Sequence, residues 1–327
     1  MKNIRGTRII MTSILVFVGL IASAALAADF PGGKPITFIV PWAAGGANDL
    51  GVRALAPYLE KELGTKIAVV NKPGADGWVS YLDFISKRPD GYTISAVNAF
   101  MNLLRHNPSS PHKEGVDDYQ LLACQVQDIS AIIKRADDKR FGDFKGLVEY
   151  AKKNEVTASI NAFGSEDWMV LALMNKELGT KFVPIIHADG SAQSKAALLG
   201  AHVDLISNNA STVYTSVADG SMTPLVVFNS TRSAFFPNAL TYKEVTGTEL
   251  ISSSARGLMM PKGGDPKVVK ILVDAAERAI KNPEHVARLK SIGLEAGYLP
   301  PEGFRKLFLI NEDAGRKVND LLKWNIK

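Results

Sequence analysis

Short apolar runs rich in β-branched residues alternate along most of the chain with longer stretches whose apolar positions recur every three to four residues. The first such run, Ile36–Val40, reads as a strand. Residues 49–63 read as a helix, with Asp49 in the N-cap position and Gly64 closing it. Pro57 inside that helix is expected to bend it. Strand 67–70, helix 78–86, the turn Pro89-Asp90-Gly91 and strand 92–97 follow. A β-α-β-α-β order implies parallel strands with helices packed on both faces.

The middle of the chain repeats this theme. Residues 121–126 and 129–134 read as two strands, and 143–153 as a helix capped by Asp143. Strand 157–160, helix 165–178 ended by Gly179, strand 182–186, helix 191–199 and strand 203–207 follow in turn. After a strand over 223–228 the pattern loosens through 229–249. One more strand, 257–260, precedes three helical stretches at 265–280, 283–292 and 301–324. Two similar α/β units imply a cleft between them. In open α/β sheets ligands bind at the carboxyl ends of strands, where helix N-termini face the crevice.

The first thirty residues set the compartment. Lys2, Arg5 and Arg8 precede an apolar run of about a dozen residues, and Ala25-Leu26-Ala27 forms a small-x-small cleavage site. This is the order of a secretory signal peptide, over residues 1–28, and the run is too short to span a bilayer. Cleavage after Ala27 or Ala28 leaves a soluble periplasmic chain of about 300 residues, which favours two domains. It also removes three of the five net positive charges, leaving about +2. Without a basic block interleaved with aromatics, nucleic-acid binding has no support. Cys124 is the sole cysteine, so an intramolecular disulfide is impossible, and it reads as a small buried hydrophobe.

Candidate chemistry lies in the loops that follow strands. Gly45 and Gly46 let an anion approach their amides, and these, with the amides of Ala47 and Asn48, would be unpaired donors of a helix start. Each charge-assisted bond is worth roughly 1.5–3 kcal/mol, so two or three capture a carboxylate without any arginine. The segment from Asn71 through Gly74, Ala75 and Asp76 to Trp78 follows the second strand in the same way, and Trp78 could wall a pocket. In the second unit Gly164-Ser165 opens one helix, Asp189-Gly190-Ser191 another, and Asn208 and Asn209 follow a strand. Ser165 can cap its helix and offer a hydroxyl, and His187 ends a strand beside Asp189. No Gly-x-Ser-x-Gly is present, Cys124 has no adjacent histidine, and His106, His112, His187, His202 and His285 lack metal-ligand spacing. The reading is therefore a binding protein, not an enzyme, with no metal or cofactor.

These loops also carry a resemblance. Pro41-x-x-x-Gly45-Gly46-x-x-Asp49, Asn71-Lys72-Pro73-Gly74-Ala75, Pro89-Asp90-Gly91-Tyr92-Thr93 and Gly190-Ser191 with Leu198-Leu199-Gly200-x-x-Val203-Asp204-Leu205 stand in register. Together with the Pro261-x-Gly263-Gly264-x-Pro266 loop, they resemble the substrate-binding proteins of tripartite tricarboxylate transporters, the Bug family, over residues 30–327. The resemblance implies a type II-like periplasmic-binding-protein fold, with two mixed sheets flanked by helices and a ligand cleft between domains. Domain 1 would comprise 29–125 and 251–327, and domain 2 residues 126–250, crossing near 125 and 251. It implies a carboxylate held by Ala44, Gly45, Gly46, Asn48 and Asp49, with Gly74, Ala75 and Asp76 beside them and Gly164, Ser165, Asp189, Gly190 and Ser191 opposite. Asp49 would hold the loop instead of touching the ligand. The implied partners are the large and small integral membrane subunits of a transporter, with the chain itself a monomer. A periplasmic sensor that presents its ligand to a signalling receptor is the open alternative. The chain departs from the family pattern at Ala43-Ala44, Trp78, Trp168 and Ala188-Asp189. Asp189 where lysine is common favours a monocarboxylate, or an acid that also carries an amino or hydroxyl group.

Overall fold

The structure is a computed structural model, and it describes residues 30–74, 77–99, 115–160, 165–187 and 191–322. The expected signal peptide lies outside them. Strand β1 (Ile36–Val40), helix α1 (Ala47–Leu63), strand β2 (Ile67–Asn71), helix α2 (Trp78–Ile85) and strand β3 (Thr93–Asn98) form the first unit. The long strand β4 (Tyr119–Arg135) leads to helix α3 (Phe144–Lys153) and strand β5 (Val156–Ile160). The second unit continues through α4 (Glu166–Leu178), β6 (Phe182–Ile186), α5 (Ser191–Leu199), β7 (Leu205–Asn209), α6 (Ala210–Ala218) and β8 (Met222–Val227). A short helix α7 (Tyr242–Thr246) precedes β9 (Ser253–Pro261), and α8 (Pro266–Lys281), α9 (Pro283–Ser291), β10 (Ala296–Leu299) and α10 (Pro301–Leu322) complete the chain.

The strands run in the order β2-β1-β3-β9-β4-β7-β5-β6, with β8 and β10 also paired to β4. At each flank three strands are parallel, β2-β1-β3 and β7-β5-β6. In the middle β9 runs antiparallel to both β3 and β4, and β4 antiparallel to β7. The two expected mixed sheets are thus joined through β4, which pairs with β9 up to Ile129 and with β7 from Ser130.

Each half is three layers deep. In the first, Val52, Leu55 and Leu59 of α1 pack with Leu272 and Ala276 of α8 on one sheet face, against Phe38, Ile94 and Leu258. Trp78, Tyr81 and Phe84 of α2 pack with Phe304 and Phe308 of α10 on the other, against Ile39, Val97 and Met259. In the second half, α3 and α4 bury Leu147, Leu171 and Met174 against Val156, Ala158 and Leu205. Helices α5 and α6 bury Leu198 and Val213 against Ala131, Ile133 and Ile206. Cys124 is wholly buried in this first core, and burial pushes its thiol pKa up. It acts as the small hydrophobe expected of it.

Several element boundaries differ from the sequence expectation for identifiable reasons. Helix α1 starts two residues early, with Gly46 and not Asp49 as its N-cap. It runs unbroken through Pro57, which is exposed. The expected strands 121–126 and 129–134 are one strand, because the polar residues between them are satisfied by distant parts of the chain. The expected strand 203–207 lies two residues later, so Asn208 and Asn209 sit inside it and α6 begins directly after. The helical expectation for 165–178 becomes Glu166–Leu178 with Ser165 as the cap, and Gly179 closes it in the left-handed region.

Candidate functional site

The carboxyl end of β1 delivers the chain into the loop of residues 41–46, and α1 begins at Ala47. Gly45 has φ 82, a left-handed conformation natural to glycine. Residues 43–47 are exposed. Asp49, in the first turn of α1, turns back toward this loop and is 2% exposed. Its Oδ2 accepts the Gly45 N–H at 2.8 Å, and the Arg53 Nε–H donates to Oδ1 and Oδ2 at 2.9 and 3.0 Å. The Asn71 Nδ2 amide donates to Asp49 Oδ1 at 2.9 Å and to the Trp42 carbonyl at 3.1 Å. Arg53 Nη2 closes the circuit by donating to Asn71 Oδ1 at 2.8 Å.

This network ties loop, helix and the end of β2 into one unit. Burial, the largest single influence on the Asp49 carboxyl, pushes its pKa up. Hydrogen bonds from Arg53, the Gly45 backbone and Asn71 outweigh it, so the pKa lies below the ordinary value and the group is ionised. Arg53 neutralises it locally. An incoming anion therefore meets the positive end of α1 beside a compensated ion pair, not a bare carboxylate.

One expected donor changes role. The Gly45 amide is spent on Asp49, so it holds the loop instead of reaching outward. Among the described residues the N–H groups of Gly46, Ala47 and Asn48 have no hydrogen-bond partner. They are the orphan donors of a helix start. Ala44 stands exposed on the same loop and Asn48 is half-buried.

The loop after β2 contributes less. Gly74 has φ 148, and its carbonyl accepts the N–H groups of Gly77 and Val79. Ala75 and Asp76 lie outside the described residues. Trp78 does not wall a pocket: it is 5% exposed and packs edge-on against Tyr81, with ring centroids 5.1 Å apart. An aromatic residue opening an amphipathic helix turned toward the core, and nothing local in the sequence marked the difference.

In the second half, Ser165 caps α4 by accepting the Trp168 N–H at 3.3 Å. Gly164, Asp189 and Gly190 lie outside the described residues, and Ser191 opens α5. Asn208 is buried, and its Oδ1 accepts from the Asn209 N–H and the Thr212 hydroxyl, anchoring α6 to β7. That is a structural post inside the strand, not the amide reaching from a loop that the sequence suggested.

Sequence reasoning missed a charged cluster where β4 and β9 cross. Asp128 is wholly buried, and it accepts both the N–H (3.1 Å) and the hydroxyl (2.5 Å) of Ser211 in the first turn of α6. Arg256 Nη2 donates to the same carboxylate at 3.1 Å. Glu166, first residue of α4, shares this environment: burial pushes its carboxyl pKa up and Asp128 adds to the rise, while Arg256 pulls the other way. Glu295 accepts the Ser233 hydroxyl at 2.8 Å and the Ala234 N–H at 2.6 Å, and burial raises its pKa too. These partners are far apart in sequence, which is why no local motif announced them. Arg53 was findable, being four residues after Asp49 on a helix.

Among the described residues no group of three or more His, Cys, Asp or Glu could hold a metal ion. No described helix is long and apolar enough to cross a membrane.

Residues 52–319 match the family model described as tripartite tricarboxylate transporter family receptor, TctC. The chain belongs to that receptor family. A TctC solute-binding protein from Polaromonas superposes on this TctC-family chain with a TM-score of 0.80 at 28% identity, covering 88% of this chain and 98% of that one. The periplasmic binding protein BugD does so with a TM-score of 0.66 at 25% identity, over 88% and 97% of the two chains. BugT of Bordetella pertussis is 28% identical over 305 residues, 90% of this chain and 93% of that relative. The fold is that of periplasmic binding proteins, an α/β sheet flanked by helices, and the chain is a solute-binding receptor of the TctC/Bug type.

Proposed function

We propose that this receptor works in the periplasm, captures a small organic carboxylate and delivers it to the large and small integral membrane subunits of a tripartite transporter. The observation that carries the reading is the start of α1. Three main-chain donors there are unfilled among the described residues, and the loop bearing them is held by the Asp49–Arg53–Asn71 network. Preorganised amides at a helix start favour an anion, because the donors and the dipole act together and need no rearrangement.

The halves would then close on the guest. We take residues 29–125 with 251–327 as domain 1 and 126–250 as domain 2, hinged where β4 and β9 cross. The handover of β4 from β9 to β7 between Ile129 and Ser130 supports a division there. In this scheme the carboxylate docks first on Gly46, Ala47 and Asn48, and the loops around Ser165 and Ser191 close over it.

Mass spectrometry of small molecules released from freshly purified protein, followed by calorimetric titration with the acid found, tests the reading. A released organic acid that rebinds with micromolar or better affinity is the expected result. Binding confined to uncharged solutes would refute it.

A further inference from the structure

We propose that His187 is a ligand contact from the second half, accepting a hydrogen bond from a hydroxyl or amino group of the bound acid. The inference rests on the carboxylate-receptor reading above and sharpens its ligand class.

His187 directly follows β6, and its N–H donates to the Ile160 carbonyl at the end of β5 at 2.9 Å. Its ring Nδ1 lies 2.8 Å from the Ser159 hydroxyl. Ser159 donates in turn to the Ser194 hydroxyl of α5 at 2.9 Å. Both serines are wholly buried. A serine hydroxyl has one proton, and here it goes to Ser194, so the Ser159–His187 bond must use a proton on Nδ1. The two buried hydroxyls thereby fix the ring's orientation and its tautomer.

The two nitrogens of an imidazole point away from each other across the ring. With Nδ1 bonded to buried Ser159, Nε2 is the ring nitrogen left for the exposed side of half-buried His187. In the neutral ring Nε2 is an acceptor. The position is central: β5 leads into the Ser165 loop and β6 into the Asp189-Gly190-Ser191 loop.

A hydrogen-bond donor on the ligand complements the Nε2 acceptor. The geometry describes an acid with one carboxylate on the α1 start and a hydroxyl or amine turned toward His187.

Calorimetric titration of the purified full chain with paired acids tests this, malate against succinate and lactate against propionate, each pair differing by one hydroxyl. The expected result is that the hydroxy acid of a pair binds about tenfold more tightly. His187→Phe should erase that preference. Ser159→Ala should weaken the preference by releasing the ring, although it touches no ligand. Nitrogen NMR of histidine-labelled wild-type protein needs no variant: the Nδ1–H tautomer should be seen, and adding hydroxy acid should shift Nε2. Equal affinities within both pairs, a preference that survives His187→Phe, or an unmoved Nε2 signal overturns the proposal. If no carboxylic acid binds at all, the receptor reading itself falls, and this proposal with it.

Discussion

Replacing Gly46 with valine is expected to abolish ligand binding while leaving the fold intact. Gly46 has φ −73 and ψ 164, an extended conformation that valine adopts without strain. A Cβ there would meet only the Ala43 carbonyl oxygen, at 3.5 Å, an ordinary contact. The branched side chain would instead stand over the amides at the start of α1 and bar a carboxylate from them. Losing two charge-assisted hydrogen bonds should lower affinity by at least about a hundredfold, with the melting temperature nearly unchanged. Gly45 is the poorer probe. At φ 82 a valine would strain the backbone by roughly 1–3 kcal/mol, confounding binding with stability. Calorimetry and thermal melting of Gly46→Val decide the matter. Wild-type affinity in the variant would remove the loop from the account.

Replacing Asp128 with asparagine is expected to give a large loss of stability. The carboxylate is wholly buried and serves the first turn of α6 and the Arg256 guanidinium together. Removing its charge leaves Arg256, itself only 14% exposed, without a hydrogen-bonded anion. Breaking a buried pair from one side typically costs about 3–5 kcal/mol. Urea denaturation should show the midpoint fall accordingly. The double variant Asp128→Asn with Arg256→Met should recover much of the loss, because the unpaired guanidinium is gone. A double variant no more stable than the single one would show that α6 capping, not the charge pair, carries the effect.

The contrast between these positions explains what the sequence made legible. Local signals sufficed where the physics is local. The apolar runs Ile36–Val40 and Phe182–Ile186, the caps at Asp143 and Ser165, and the left-handed glycines at Gly64 and Gly179 all appear where expected. Asp49 shows the limit of this reasoning. An acid at the N-cap and an acid in the first turn look alike in sequence, and only the Gly45 contact separates them. Helix α6 lay beyond local reading, since ASTVYTSVA is rich in β-branched and hydroxyl residues of low helix propensity. It forms because Asp128, 83 residues earlier, meets its first turn and Val213 packs in the core. The same long-range pairing lets β4 run through Gln127-Asp128, since Arg256 lies 128 residues beyond its partner. In the candidate site, the glycine loop was readable because helix-start chemistry is local, whereas the Ser159–His187–Ser194 chain depends on three separate elements.

A crystal structure of the protein with its natural ligand tests the central claim most directly. Carboxylate oxygens within about 3 Å of the Gly46, Ala47 or Asn48 nitrogens, directly or through one ordered water, is the predicted result. A ligand seated away from the start of α1, with those nitrogens turned to bulk solvent, would contradict it.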